Sequence, residues 1–320
     1  MCKHHGQHFC CMYLVMSMTV SMTCLAQDLD CPPSQPELVI TANPTSRILN
    51  QEEQQLPSEI QALLIAYSDS IKSASKHTET QGSLVFKNNT KHAWERPKQK
   101  YDLFTWSKLS KVEQAQIWKQ QGFKDFDHAL NHARLAEQFL QLYPHTSQLP
   151  KDLPVNFEPG RLRDEVFFKK LYGRSKAEVA QQLTTVYWGK QKLKVTRLHK
   201  IDQRLQAIYT DLKNCLPKKF KRYYEPSAGA FTWRKIKGTQ RLSVHSFGAA
   251  IDIGVKYSNY WKWTMKVYGR NAQGLIPYKN SFPVEIVETF KRYGFIWGGW
   301  WYHHDTMHFE YRPELIIDKQ

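Results

Sequence analysis

From Ser58 the apolar positions recur at helical spacing, with Ile60, Leu63, Leu64, Tyr67 and Ile71 on one stripe, and a second candidate helix runs from about Asp127 to Leu142. Both read as packing helices without chemistry of their own. After EPGRLRDEVFFKKLYG comes SKAEVAQQLTTVYW, where Ser175 and Glu178 have capping-box spacing, and then a helix with Ile201, Leu205, Ile208 and Leu212 on one face. In the last hundred residues the period changes. AAIDIGV and MHFEY alternate as strands do, while PVEIVETFKRYG reads as a helix with Pro283 in its first turn and Gly294 as its stop. The pattern predicts an α+β fold: a small antiparallel sheet with flanking helices, preceded by a helical N-terminal region. There is no internal repeat.

The beginning of the chain has a different character. Lys3 is followed by no Asp, Glu, Lys or Arg until Asp28, and CMYLVMSMTVSMTCLA is apolar and ends in a small residue. This predicts a secretory signal peptide over 1–26, cleaved after Ala26, and hence export to the periplasm or beyond. An uncleaved anchor is the alternative, but the Ser and Thr of this span make it weakly hydrophobic; no later segment is apolar enough to span a membrane. Residues 27–56, rich in Pro, Gln and Ser, read as a flexible linker. Residues 57–160 then form the helical region and 161–320 a second unit. Four of the six cysteines lie in the leader, which leaves Cys31 and Cys215. Two cysteines in an exported chain can make one disulfide, and whether these two pair stays open; they give neither a thiolate metal site nor a cysteine nucleophile.

Charge separates the two halves. Residues 161–320 hold 30 Lys and Arg against 13 Asp and Glu, whereas residues 27–160 hold 14 against 16, within a chain of net charge +16. The C-terminal half therefore calls for an anionic partner: nucleic acid, an anionic envelope polymer or a carboxylate-rich substrate.

The chemistry concentrates in two stretches of that half. Along SVHSFGAAIDIGV, alternation puts Ala249, Ile251, Ile253 and Val255 on one face and Asp252 on the other. Along MHFEY, Met307, Phe309 and Tyr311 share one face, His308 and Glu310 the other. If these strands pair, His308 and Asp252 meet on one surface, and His245 comes round to them through Gly248. Two imidazoles and a carboxylate with an open fourth position make a catalytic zinc site. Taken singly, each has a plain explanation: a turn cap for His245, a lysine partner for Asp252, a satisfied core histidine for His308. His304, Asp305 and His308 also spell H-D-x-x-H, a zincin pair if helical, but the flanking WGGWWY and the alternation favour strand.

Together, S-x-H-x-x-G-x-A-x-D from Ser243 to Asp252 and D-x-x-H from Asp305 to His308 resemble the zinc peptidases that include D-alanyl-D-alanine carboxypeptidases and L-alanyl-D-glutamate endopeptidases, in a secreted bacterial branch. The resemblance implies a zinc peptidase catalytic domain over 161–320, in which the small sheet carries one Zn2+ on His245, Asp252 and His308, with Asp305 as general base. It also implies that Arg234, in FTWRK, stabilises a developing oxyanion or holds a substrate carboxylate, and that Ser243 contacts substrate or shapes its turn. Trp300 and Trp301, beside the second motif, are expected to line a cleft for an extended substrate, with His303 and His304 as supporting or cleft-lining groups. The expected partner is the peptidoglycan stem peptide, not nucleic acid, and a monomer is expected. Asp at 305 leans towards the endopeptidases, and the basic groups near Arg234 towards a carboxypeptidase, so the bond cleaved stays open. The competing reading, a basic binding module without catalysis, explains the charge equally well but gives no reason for the spacing of His245, Asp252, Asp305 and His308.

Overall fold

The computed structural model describes residues 31–40 and 47–317; the expected leader, 1–26, lies outside the described residues. Three antiparallel sheets alternate with helices. The first joins β1 (Ile71–Thr78), β2 (Gln81–Phe86) and β3 (Lys91–Glu95), the second is the hairpin of β4 (Leu183–Trp188) and β5 (Gln191–Thr196), and the third contains β6 (Ser227–Gly229), β7 (Ala250–Ile253), β8 (Phe295–Trp297) and β9 (His308–Tyr311) in the order β6-β7-β9-β8. This last sheet is the small antiparallel sheet expected from the sequence. In its central pair Asp252 stands directly opposite His308 and Ile251 opposite Phe309. Ile251, Ile253 and Phe309 are buried in the core.

Two helices of the C-terminal half follow the predicted pattern. Ile201–Cys215 buries Ile201, Leu205, Ile208 and Leu212. Val284–Arg292 starts after Pro283, buries Ile286, Val287 and Phe290, and ends before Gly294 at φ 92°. The Phe290 ring stacks on Phe309 with centroids 4.0 Å apart, so this helix supports the apolar face of β9.

The structure departs from the sequence reading in three places. The helix that begins at Ser58 ends at Ala66, so Ile71 opens a strand, not the last turn of a helix. The region expected as helical thus contains β1–β3, whose outward faces are polar and whose buried residues are few, including Leu84, Phe86 and Trp94, too sparse for a clear period-two signal. The candidate helix over Asp127–Leu142 is two short ones, Phe126–His132 and Leu135–Gln138, because Ala133 and Arg134 are extended. At Ser175 only half of the capping box forms: its Oγ accepts from the Glu178 N–H, whereas the Glu178 carboxylate accepts from the N–H of Arg174.

Residues expected as linker are docked where described. Cys31 is disulfide-bonded to Cys215, Ser34 N–H donates to buried Asp211 (2.9 Å), Ile40 N–H to Arg292 O (2.8 Å), and Leu38 is buried. Further on, Asn50 and Glu53 close a capping box on Gln51–Gln54, and Leu56 is buried. The boundary drawn at 160/161 also falls within EPGRLR, which packs against the third sheet. Gly160 takes φ 81°, and a Cβ there would lie 2.6 Å from Ile296 and 2.8 Å from Leu315, so only glycine fits. One continuous hydrophobic core runs from Leu38 to Ile316.

A line of buried charge joins the two halves. Arg312 donates to Glu310 (3.1 Å), to Glu314 (2.7 Å) and to Gly160 O (2.5 Å), while Glu314 also accepts from Tyr67 (2.6 Å) and Gln138 (3.0 Å). Removing one member of such a group strands the others: Arg312→Ala is expected to lower stability by about 3–5 kcal/mol in urea unfolding monitored by fluorescence. The disulfide closes a loop of 184 residues. Mature protein kept oxidised should therefore give no free thiol with Ellman's reagent, and Cys215→Ser should lose stability, with about 5 kcal/mol as the upper end in the chain-entropy picture.

Candidate metal centre

Three short elements bring the expected ligands together. Ser243 caps the turn Val244–Phe247, its Oγ accepting from the His245 N–H (3.4 Å). Gly248 ends that turn at φ 67°, where a Cβ would lie 2.8 Å from Leu183 and from the Thr196 nitrogen. Only glycine therefore lets the chain swing from His245 into β7. Asp252 follows on β7 and His308 opens β9.

Hydrogen bonds fix which atom each ligand offers. His245 Nδ1–H donates to Ala230 O (2.5 Å), which frees Nε2. His308 Nε2–H donates to Glu310 (3.0 Å), which frees Nδ1. The free atoms converge: His245 Nε2 to Asp252 Oδ1 is 3.1 Å, His308 Nδ1 to Asp252 Oδ1 is 2.9 Å, and the two nitrogens are 3.2 Å apart. Ligand atoms about 2.0–2.1 Å from a tetrahedral zinc stand about 3.3 Å from one another, so the donor set fits a single ion of that size. His245, Asp252 and His308 are the group among the described residues that can hold a metal ion. Glu310 and Ala230 O are the outer partners that orient the imidazoles. The alternation along MHFEY had already put Glu310 on the face of His308.

Asp305 stands at the same cleft, opposite Tyr260, with its Oδ1 closed off from solvent and free of any partner. Burial, reinforced by the negative charge of Asp252, lifts its carboxyl to about 6, against the opposing charges of His308, His245 and Arg161. Burial also opposes charge on Asp252 and Glu310. The charge and hydrogen bonds of His245 and His308 nevertheless hold Asp252 far below the usual carboxylate range, and His308, Arg312 and Arg163 bring Glu310 to about 2. His308 is pushed the other way: burial disfavours its charge, but Asp252 and Glu310 raise its imidazolium to about 10.

The remaining expected residues divide. Arg234 lies exposed on the cleft wall, its main chain tied to Ser246 and Ser243. Ser243 and Trp301 line the cleft too, Trp301 donating to Pro159 O (2.9 Å). Trp300 does not: it is buried and stands outside the cleft wall, since the turn Gly298–Trp300 directs it into the core. His303 lines the cleft and is bonded to buried Glu158. His304 is turned away, fully buried against Thr264 (3.1 Å), and burial takes its pKa down to about 4. The H-D-x-x-H reading fails, because His308 starts a strand.

Sequence reasoning missed the EPGRLR segment as part of the site. Glu158 holds His303 and Arg161 (2.6 Å), and Arg161 and Arg163 line the cleft with Arg241. The signal was present, two arginines after a Pro-Gly pair, but nothing local tells a buried arginine from a surface one.

Without metal, His308 is a cation at pH 7. Its folded value of about 10 exceeds the ordinary 6.5, so the charged form stabilises the fold fully below pH 6.5 and this contribution is lost as the pH rises through 10. A metal ion needs the neutral ring. Metal binding at pH 7 is therefore expected to release about one proton from His308 and to tighten roughly tenfold per pH unit above it, as read by calorimetry in buffers of different protonation enthalpy.

No curated protein and no solved structure matches the chain. Every expected site residue except Arg234 falls within residues 237–311, and that segment matches the model of the family described as D-alanyl-D-alanine carboxypeptidase, the zinc metallopeptidase family that the two motifs resemble.

Proposed function

We propose that the protein is an exported zinc peptidase that hydrolyses peptidoglycan stem peptides, with His245, Asp252 and His308 as the metal ligands and Asp305 as the general base. The observation that carries this reading is the convergence of His245 Nε2, Asp252 Oδ1 and His308 Nδ1 within 3.2 Å beside a carboxylate with an unbonded oxygen. The family match supports the reaction class. Zinc held by two imidazoles and one carboxylate supplies Lewis acidity to a water molecule and to the carbonyl of a peptide bond.

The chain's own groups supply the rest. Asp305, with an oxygen unbonded beside the ligand set, takes a proton from the attacking water and passes it to the leaving amine. Arg234 offers a cation to the oxygen that becomes negative. Ala230 O and Glu310 hold the two imidazoles in one tautomer each, so no reorientation is needed as charge develops. The wall around them is basic and aromatic, with Arg161, Lys237, Lys262, Tyr260, Trp261 and Trp301. Such a wall suits an extended peptide bearing several carboxylates. No helix among the described residues is long and apolar enough to cross a membrane, and the expected leader would deliver the chain to the compartment where wall peptides are found.

Asp305→Asn is expected to keep one zinc per chain, by elemental analysis, yet to lose roughly two to four orders of magnitude in turnover. Digestion of purified peptidoglycan followed by mass spectrometry reads the bond: loss of a single D-Ala marks a carboxypeptidase, and release of stems at L-Ala an endopeptidase. Absence of zinc-dependent cleavage of any wall peptide, together with tight and salt-sensitive polymer binding, would instead favour a binding module.

A further inference from the structure

Between Asp252 and Glu285 the chain carries no acidic residue. Over the same stretch Lys256, Lys262, Lys266, Arg270 and Lys279 are all exposed, and none forms an ion pair among the described residues. The stretch also holds the helix Trp261–Tyr268, which follows β7 and runs beside the cleft: Lys262 and Tyr260, the latter just before the helix, both line it. Of the eight large apolar or aromatic side chains that stand exposed among the described residues, three belong to this one helix: Trp263 at 46%, Val267 at 70% and Tyr268 at 61%. A single exposed residue of this kind is ordinary, whereas three on one short helix in an acid-free surface make a patch.

Helical spacing sorts these side chains into rows. Thr264 is buried, and its hydroxyl meets His304 Nε2 at 3.1 Å, so one edge of the helix is pinned against the turn that leads to Asp305. Successive residues turn by about 100°, which puts Lys262 and Lys266 on the opposite edge and Trp263 and Val267 in the row beside them. The helix thus presents a basic row and an apolar row side by side. Trp263 makes an edge contact with the Tyr260 ring, centroids 5.5 Å apart, and Lys279 Nζ stands 5.0 Å from the centre of the Tyr268 ring. Both exposed rings are therefore held in place, with lysines around them.

Three kinds of partner differ in how much of this face they complement. A carboxylate or phosphate polymer matches the lysines but leaves Val267 in water. An apolar protein groove takes Trp263 and Val267 but leaves the lysine row uncompensated. A bilayer with anionic headgroups takes both, because the apolar row reaches towards the acyl boundary while tryptophan and tyrosine sit at the interface and the lysine stems carry their charge up to the phosphates. We infer that the helix Trp261–Tyr268 and the basic residues around it form a surface that docks on an anionic phospholipid bilayer. At about 1.5 Å per residue the helix is far too short to cross, so it lies in the headgroup layer. Docking sets the mouth of the cleft, with Lys262 and Tyr260 at its edge, against the headgroups. This inference uses charge and exposure alone and does not depend on the peptidase reading.

The test is co-sedimentation of the full-length mature protein, free of the leader, with vesicles of phosphatidylglycerol and phosphatidylcholine in equal parts, and with vesicles of phosphatidylcholine alone. Binding to the anionic vesicles is expected, weakening as salt rises, with little binding to the neutral ones. Trp263→Ser should weaken it roughly tenfold and Lys266→Ser about fivefold, while thermal unfolding stays as in the wild type. Val267→Asp, which sets a carboxylate against the headgroups, should weaken it at least as much as Lys266→Ser, and it decides the question if Trp263→Ser does not fold. A wild type that stays out of the anionic vesicle pellet overturns the surface. So does binding that Trp263→Ser and Val267→Asp share undiminished, since the lipid contact would then lie elsewhere. Retention on purified peptidoglycan or on nucleic acid that Trp263→Ser abolishes, without vesicle binding, would assign the face to a polymer and likewise overturn the inference. No bond is cleaved in these measurements, so failure of the peptidase reading shows separately, in the peptidoglycan digest.

Discussion

His308, Glu310, Arg312 and Glu314 stand two residues apart on β9 and the turn after it, and all four are buried. Charges this deep persist only if each meets an opposite charge or a hydrogen-bond partner. Here each does: His308 to Glu310, Glu310 to Arg312, Arg312 to Glu314, and Glu314 to Tyr67 and Gln138. His308, a candidate metal ligand at one end of the line, is thereby tied to the N-terminal half at the other.

This coupling gives the N-terminal half a physical task. Tyr67 ends the helix that leads into β1, Gln138 belongs to the short helix Leu135–Gln138, and Gly160 O accepts from Arg312 where no side chain would fit. The same segment sends Glu158 to His303 and presents Arg161 and Arg163 to the cleft. The sheet that carries Asp252 and His308 would face water on that side without it, and the buried ion pairs would lose most of their strength in a high dielectric. Arg161 and Arg163, with Glu158 behind them, are therefore part of the cleft wall, although the family match spans only 237–311.

The chemistry follows from the same preorganisation. Each imidazole has its outer nitrogen committed, His245 to a main-chain carbonyl and His308 to a carboxylate, so the inner atoms point at one locus before any ion arrives. Asp252 on the neighbouring strand completes the set. Burial and the charge of Asp252 meanwhile raise the Asp305 carboxyl, whereas His245 and His308 lower that of Asp252. One environment thus pushes two nearby carboxylates in opposite directions.

Periodicity and spacing determined the parts of this protein that depend on local geometry. Alternation along AAIDIGV and MHFEY put Asp252, His308 and Glu310 on one face, the apolar stripes marked Ile201–Cys215 and Val284–Arg292, and Gly248 in the S-x-H-x-x-G stretch foretold the swing from His245 into the strand. A strand's faces and a helix's stripe are set by the residues within it, which is why these were legible. Tertiary structure alone decided the rest. β1–β3 are too polar to announce themselves, and they hold together by pairing over one thin apolar face. Cys31 and Cys215 meet across 184 residues, Trp300 turns inward while Trp301 lines the cleft, and of the three buried arginines among the described residues Arg312 pairs with carboxylates while Arg163 and Arg241 do not. Whether a charge is buried, and what neutralises it, depends on groups brought from elsewhere in the chain, and no local pattern encodes that distance.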